Sequence, residues 1–264
     1  MVLVSKSKTP LNGSTKSPKW FGFRDNPTFT TQEINDLYGS HPIGSFEYNS
    51  KILAIRGYTT GLLYARLLAD TWVTPQQPIG QNIKFSDLKV SSIVRLHIGI
   101  DIGDNAKTVF TLTGTTKGYE RVIVIDSIET EGDDIDYNEI INQFNTWLLP
   151  YYSMFNVKIK TIRPDSADSL FVKTLRNNVF TDAIDVISSN KATIKERVTM
   201  KEQLLHRNRM IFTDKPGAQK LKVMLSKIRT DGKGGHLDEN DPWIDYNDSL
   251  DYSITPDMHG IMAQ

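Results

Sequence analysis

Three sets of carboxylates along the chain carry the potential for chemistry. Asp101 interrupts an apolar run, Ile98-Gly99-Ile100-Asp101-Ile102-Gly103, and Asp165 directly follows another, in Pro164-Asp165-Ser166-Ala167. Asp248 and Asp251 are spaced i, i+3, with Asp245 one step further back. A charge inside an apolar strand is unfavourable unless it is paired or binds a metal. Strand ends are where ligand sites of α/β sheets collect, and i, i+3 spacing puts two side chains on one helix face. Carboxylates converging from distant segments suit hard divalent cations, two of which, roughly 3.5–4 Å apart, can ready a water and stabilise a leaving oxygen in phosphodiester hydrolysis. Each set also has an ordinary reading: a strand-end aspartate facing solvent at 101, a helix cap at 165, a solvated acidic helix face at 245–251.

The elements that would position these groups follow from periodicity. Ile93 to Ile102 has the β-branched, apolar make-up of a buried strand, and Thr108 to Thr113 and Arg121 to Ile128 supply two more. Short turns between them predict an antiparallel meander. A helix is expected over Tyr137 to Phe155, with Ile140, Ile141, Phe144, Trp147 and Leu148 on one stripe and Pro150 placed to kink or shorten it. There follow a strand at Val157 to Ile162, a helix capped by Ser166 or Asp168 and running through Leu175, and a short strand at Ile184 to Ile187. Helices over Thr193 to Arg207 and Ala218 to Ile228, a glycine-rich turn at Asp231 to Gly235 and a last helix from Tyr246 to Thr255, stopped by Pro256, complete the pattern. The order βββ-α-β-α-β-α predicts the α/β class: a mixed β-sheet flanked by helices, the layout of the RNase H-like fold.

Ahead of this lies a different kind of sequence. The first 20 residues mix serine, threonine, lysine and proline and read as an arm. Asp25-Asn26-Pro27 signals a turn, and Thr30 or Thr31 followed by Glu33 can start a short helix. Phe46 to Val73 is too apolar for a free linker and is expected to pack, whereas Thr74 to Asn82 reads as a boundary. The expected division is therefore a linker and helical segment over 1–90 and the α/β domain over 91–264.

Lysine plus arginine equals aspartate plus glutamate at 31 each, so the chain lacks the basic excess of a protein that coats nucleic acid; any such contact must come from local patches. The absence of cysteine excludes disulfides, thiolate zinc sites and cysteine nucleophiles. The histidines at 41, 97, 206, 236 and 259 lack the i, i+4 pairing of a helical zinc motif. With neither a run of roughly 20 apolar residues nor a signal-peptide pattern, the expectation is a soluble intracellular protein with no membrane partner.

The whole pattern resembles the C-terminal part of phage terminase large subunits, which join a packaging ATPase to an RNase H-like nuclease. Ile98-Gly99-Ile100-Asp101-Ile102-Gly103 followed by Thr108-Val109-Phe110 resembles their opening I-G-x-D-x-G strand and the one after it. Pro164-Asp165-Ser166-Ala167 resembles their second acidic element, and Asn247 to Ile254 their late N-H-x-x-D-A-x-R-Y helix. Asp25-Asn26-Pro27, Arg56-Gly57 and Gly61-Leu62-Leu63-Tyr64 resemble elements that precede the nuclease, and Ile194 to Leu205 with Arg209 to Phe212 resembles a helix leading to a short strand. The likeness runs from about residue 20 to about 255. Asp248 stands where many relatives carry histidine, and the alanine and Arg-Tyr after the last aspartate are missing.

This resemblance implies a metal-dependent endonuclease that cuts double-stranded viral DNA during genome packaging, with two divalent cations, Mg2+ or Mn2+. Asp101 would bridge the ions, Asp165 and Asp251 would complete their coordination, and Asp248 would add a ligand or orient a bound water; Asp104 is a further candidate beside Asp101. Positive charge for the phosphates would come from Lys191, Lys195, Arg197 and Lys201, or from Lys227, Arg229 and Lys233, all of which also fit an ordinary solvated surface. Implied partners are double-stranded DNA, the portal, the small terminase subunit and the terminase ATPase domain, in the host cell cytoplasm. No Walker A sequence occurs, so no ATP hydrolysis is expected from this chain, which reads as a nuclease-bearing fragment or a split gene product whose ATPase domain is missing or truncated. The alternatives are a non-catalytic docking module of the packaging machine and another RNase H-like nuclease such as a resolvase, with Glu139 as the candidate for an extra acidic residue.

Overall fold

A computed structural model describes residues 30, 32–33, 62–64, 81–102, 107–131, 136–155, 159–166, 168–181, 184–189, 192–229 and 243–264. The chain divides into two compact units, Met1–Tyr58 and Thr59–Gln264. In the first, Thr30 forms the expected helix start with Glu33: the Thr30 amide donates to Glu33 Oε2 at 2.8 Å and the Glu33 amide to Thr30 Oγ1 at 3.3 Å.

The second unit is built on a mixed sheet. Three ten-residue strands form its centre, β2 (Ile93–Ile102), β3 (Lys107–Thr116) and β4 (Val122–Glu131), paired antiparallel as a meander. β5 (Ile159–Pro164) adds parallel to β2 and carries the two-residue β6 (Asp185–Val186); β7 (Met210–Thr213) adds parallel to β4 and carries β1 (Gln81–Ile83). The spatial order is β1-β7-β4-β3-β2-β5-β6. β1 begins at the end of the stretch that sequence alone marks as a boundary, Thr74 to Asn82. Three residues carry too little pattern to announce a strand, and the partner β7 decides their conformation. Residues before 91 thus enter this unit, and Tyr64 is also fully buried in it.

Alternation along the strands sends side chains to two cores. In β4, Ile123 and Ile125 join one core, whereas Val122 and Val124 join the other. The first core is closed by α1 (Tyr137–Phe155) through Ile140, Ile141, Phe144 and Leu148, and by α2 (Ser169–Asn178) through Phe171 and Leu175. The second is closed by α3 (Ile194–His206), α4 (Pro216–Leu225) and α5 (Ile244–Ile254). Each leucine or phenylalanine so buried contributes about 1.5–3 kcal/mol.

Local signals explain most boundaries. Thr193 and Glu196 form a capping box at α3, Asp168 accepts from the Phe171 amide at 2.8 Å to cap α2, and α4 starts on Pro216, two residues before the expected Ala218. Two prolines behave differently from expectation. α1 runs through Pro150, whose ring is exposed, so the Thr146 carbonyl left without an amide donor lies on a wet face. Pro256 does not end the last helical path, because it sits at the start of a 3-10 turn, Thr255–Asp257, where a missing N–H matters little, and α6 (Met258–Met262) follows. The glycine turn at 231–235 lies outside the described residues. Among the described residues no helix is long and apolar enough to cross a membrane.

Helix α5 lies across β2 and β3 at very close range. A Cβ added at Gly99 would stand 1.9 Å from the Ser249 carbonyl oxygen and 2.5 Å from the Ser253 nitrogen. Ser249 Oγ and Thr111 Oγ1 are hydrogen-bonded at 2.7 Å, and Thr113 Oγ1 donates to the Ser253 carbonyl at 3.3 Å. Both neighbours at Gly99 are backbone, so a side chain there must move the whole helix. Gly99→Ala is expected to lower stability by about 2 kcal/mol, within the range for overpacking, measured as a lower urea midpoint with an unchanged m-value.

Candidate active site

The site begins with the parallel pairing of β2 and β5, which brings two carboxyl ends to the same margin. Ile100 pairs with Pro164, and the ladder continues one step, the Asp165 amide donating to the Ile100 carbonyl at 2.9 Å. Asp101 and Asp165 thereby stand on neighbouring strands at the same level. Asp101 is 7% exposed, so it is not a solvent-facing strand end, and the cap of α2 is Asp168, so Asp165 does not serve as one.

The close seat of α5 on Gly99 places a third group over this pair. The Tyr252 hydroxyl donates to Asp165 Oδ2 at 3.2 Å. Its ring is buried, and burial, with the charges of Asp248, Asp101 and Asp165, holds the phenol well above the ordinary tyrosine range. Asp248 is one turn before Tyr252 on the same helix face. Three carboxylates from two strands and one helix therefore act on a single hydroxyl.

Asp251, one residue away, points elsewhere. It is fully buried, with Oδ1 2.6 Å from Lys201 Nζ and Oδ2 3.1 Å from Arg197 Nη1. Arg197 Nη1 also reaches Asp248 Oδ1 at 3.0 Å, and Asn247 Nδ2 donates to the same oxygen at 3.0 Å. Lys201 bonds Asn247 Oδ1 as well and lies 5.3 Å from the centre of the Tyr64 ring. Burial pushes the Asp251 carboxyl up and the Lys201 ammonium down, and each charge opposes the other's shift. Burial also works against the charge of Arg197, but Asp251 and Asp248 outweigh it and hold the guanidinium above its usual value.

Of the residues picked out by sequence, the structure brings Asp101 and Asp165 together at adjoining strand ends and places Asp248 and Asp251 on a shared Arg197, Asp251 within a buried ion-pair network. Arg197 and Lys201, expected to face phosphate, are turned inward, because the acidic face of α5 packs against their face of α3. Lys195, Lys227 and Arg229 are exposed, Lys227 with its Nζ 4.3 Å from the Trp243 ring centre. Glu139 is exposed in the first turn of α1. Lys191, Lys233 and Asp104 lie outside the described residues. Tyr252 escaped the sequence reading, although it is i+4 from Asp248 and that spacing could have found it.

Among the described residues, no three histidine, aspartate or glutamate side chains stand as a set that could hold one ion. Asp101 and Asp165, side by side at the strand ends, are oxygen donors of the kind a hard divalent cation takes, and Arg197 offsets part of the charge of Asp248.

No family model and no curated protein matches the sequence. Solved structures do match. The large terminase of a thermophilic bacteriophage superposes with a TM-score of 0.57 at 16% identity, over 89% of this chain and 54% of that one. The nuclease domain of the bacteriophage SPP1 large terminase (g2p), with bound Mn, superposes with a TM-score of 0.50 at 15% identity, over 68% of this chain and 97% of that domain. The fold is that of a large-terminase nuclease domain. The sheet flanked by helices is thus RNase H-like, as the strand order predicts. This chain spans about half the length of the thermophilic phage's large terminase. In the terminase nuclease fold seen here, the carboxyl ends of β2 and β5 and the face of α5 above them form the acidic centre.

Proposed function

We propose that this chain is the nuclease part of a large terminase and hydrolyses phosphodiester bonds of double-stranded viral DNA during genome packaging. The observation that carries the reading is the juxtaposition of Asp101 and Asp165 at the ends of adjacent parallel strands. Divalent cations, Mg2+ or Mn2+, would be held by these two carboxylates, with Asp248 as a further ligand from α5. Bound there, they would polarise a phosphate oxygen and lower the pKa of an attacking water.

The protein's own contribution is arrangement. The β2–β5 ladder fixes the spacing of Asp101 and Asp165, and the contact at Gly99 fixes the height of α5 above them. Asp251 serves this arrangement from behind: it holds Arg197, which in turn holds Asp248. The buried charges of Arg197, Lys201 and Asp251 stiffen the helix that carries the third ligand. Exposed Lys195, Lys227 and Arg229 would meet the DNA backbone, a contribution that falls steeply with salt. The portal, the small terminase subunit and the packaging ATPase would be the partners, in the host cell cytoplasm.

Supercoiled plasmid incubated with the purified chain tests the reading. Nicked and linear forms are expected with Mn2+ or Mg2+ and none with EDTA. Intact plasmid under every metal condition, at excess protein, would reject the nuclease and favour a docking module.

A further inference from the structure

We propose that the cleft between α1 and the start of α4 is a docking site for an acidic peptide segment, which inserts one large aromatic side chain. The cleft holds about 270 Å3. Small-molecule sites usually span about 300–1,000 Å3, so this one suits a single side chain better than a nucleotide or cofactor. Its walls are aromatic. Trp147 and Tyr151 come from successive turns of α1, their ring centres 5.6 Å apart. Phe85, in the 3-10 turn Phe85–Asp87, meets Tyr151 edge to face at 6.0 Å. The polar tips of two walls are spent on Asp126, buried behind them: Trp147 Nε1 donates to its Oδ2 at 3.0 Å and the Tyr151 hydroxyl at 2.5 Å. The Phe85 amide is held in the same way, donating to Asp214 Oδ1 at 2.7 Å. The rings are thus fixed in place, and what they offer a ligand is apolar surface.

Two further groups decide the chemistry of the occupant. Lys215 Nζ lies 4.4 Å from the Phe85 ring centre and 5.8 Å from that of Tyr151, and it pairs with no carboxylate among the described residues. Ring faces hold an ammonium more weakly than a carboxylate does, so an arriving acidic group meets a cation already in position. The other group is the Thr146 carbonyl. Proline at 150 has no amide to give it, so an acceptor that a helix ordinarily consumes is left at the cleft. An indole N–H suits that acceptor, and a neighbouring carboxylate suits Lys215. Outward along α1 the apolar surface continues through Leu149 and Met154, 53% and 41% exposed, which gives flanking residues a surface to cover. A single-stranded nucleic acid would also bring negative charge, but the edge of a base carries several donors and acceptors that these walls leave unmet.

The test is fluorescence anisotropy of the dye-labelled peptide Asp-Glu-Trp-Glu-Asp titrated with the full chain at low salt. Three probes run beside it: the same peptide with alanine for tryptophan, Lys-Lys-Trp-Lys-Lys, and a thymidine pentanucleotide. The acidic tryptophan peptide is expected to bind and the other three to bind far more weakly. Lys215→Glu should weaken it about tenfold, the equivalent of one hydrogen bond to a charged group; an acidic residue is well tolerated there, at the N-terminus of α4. Pro150→Ala, which returns an amide to the Thr146 carbonyl, should weaken the peptide while raising the melting temperature. No binding of the acidic peptide up to millimolar protein overturns the inference. So does equal binding of the basic peptide or the oligonucleotide, or wild-type affinity in folded Lys215→Glu and Pro150→Ala proteins. The cleft lies on the face of the sheet opposite α5, so the result stands apart from the nuclease reading.

Discussion

Replacing Asp101 by asparagine is expected to abolish plasmid cleavage while leaving the protein folded. The side chain keeps its shape and loses only its charge, at a position 7% exposed in one of the three long strands at the centre of the sheet. Removing a carboxylate from an acidic centre relieves repulsion from Asp165 and Asp248, so the melting temperature should hold or rise. Catalysis depends on that charge. Loss of a cation's stabilisation of the transition state is worth several kcal/mol, about 10³-fold in rate. The measurement is the initial rate of nicking in Mn2+ beside a thermal melt. An asparagine variant that cuts at the wild-type rate would remove Asp101 from the centre, whatever the fold resembles.

The second large effect concerns stability. Lys201→Ala strips the ammonium from a fully buried carboxylate, Asp251, leaving Arg197 as its remaining cationic partner. Breaking a buried pair by removing one member typically costs about 3–5 kcal/mol when the other charge is left unpaired, and Arg197, which stays, brings the expected loss to the lower end of that range. Urea unfolding at neutral pH should show a loss of that order. The deficit has a predictable sign with pH. Burial already holds the Asp251 carboxyl above its ordinary value, and loss of Lys201 raises it further. The folded variant then binds a proton that the unfolded chain has released, so its stability falls as pH rises through that window and recovers on acidification. A deficit that grows as pH falls would show that Asp251 is not the group left exposed to the cost.

Much of the architecture was legible because local and tertiary demands agreed. The ten apolar and β-branched residues of β2, the stripe of α1 and the Thr193–Glu196 capping box all announce the element they form. Asp101 and Asp165 were legible for the same reason: a charge set in or just after a buried strand contradicts its surroundings. The orientation of α5 was not. Asp248 and Asp251 share a face, as i, i+3 spacing suggests, but that face turns toward α3, where both reach Arg197 and Asp251 is buried against Lys201. That choice is made by Gly99, Thr111, Thr113, Ser249 and Ser253, small groups whose value lies in how closely they let backbone approach. Likewise, Arg197 and Lys201 read as surface charge until the acidic face opposite them is known. β1 was illegible because its strand character belongs to β7.

The graded strand lengths carry a consequence for behaviour in concentrated solution. Strands of ten residues at the centre give way to two and three residues at the margins. A long marginal strand offers a row of open amides and carbonyls on which another molecule can extend the sheet, and such rows seed aggregation. Here β7 covers only Val122 to Val124 of β4, and the stretch beyond is shielded by the start of α4, where a Cβ on Gly217 would meet the Ser127 carbonyl oxygen at 1.7 Å. The protein thus ends its sheet by tapering on both sides and by laying a helix start against the longest open flank, which leaves a neighbouring copy little ladder to continue.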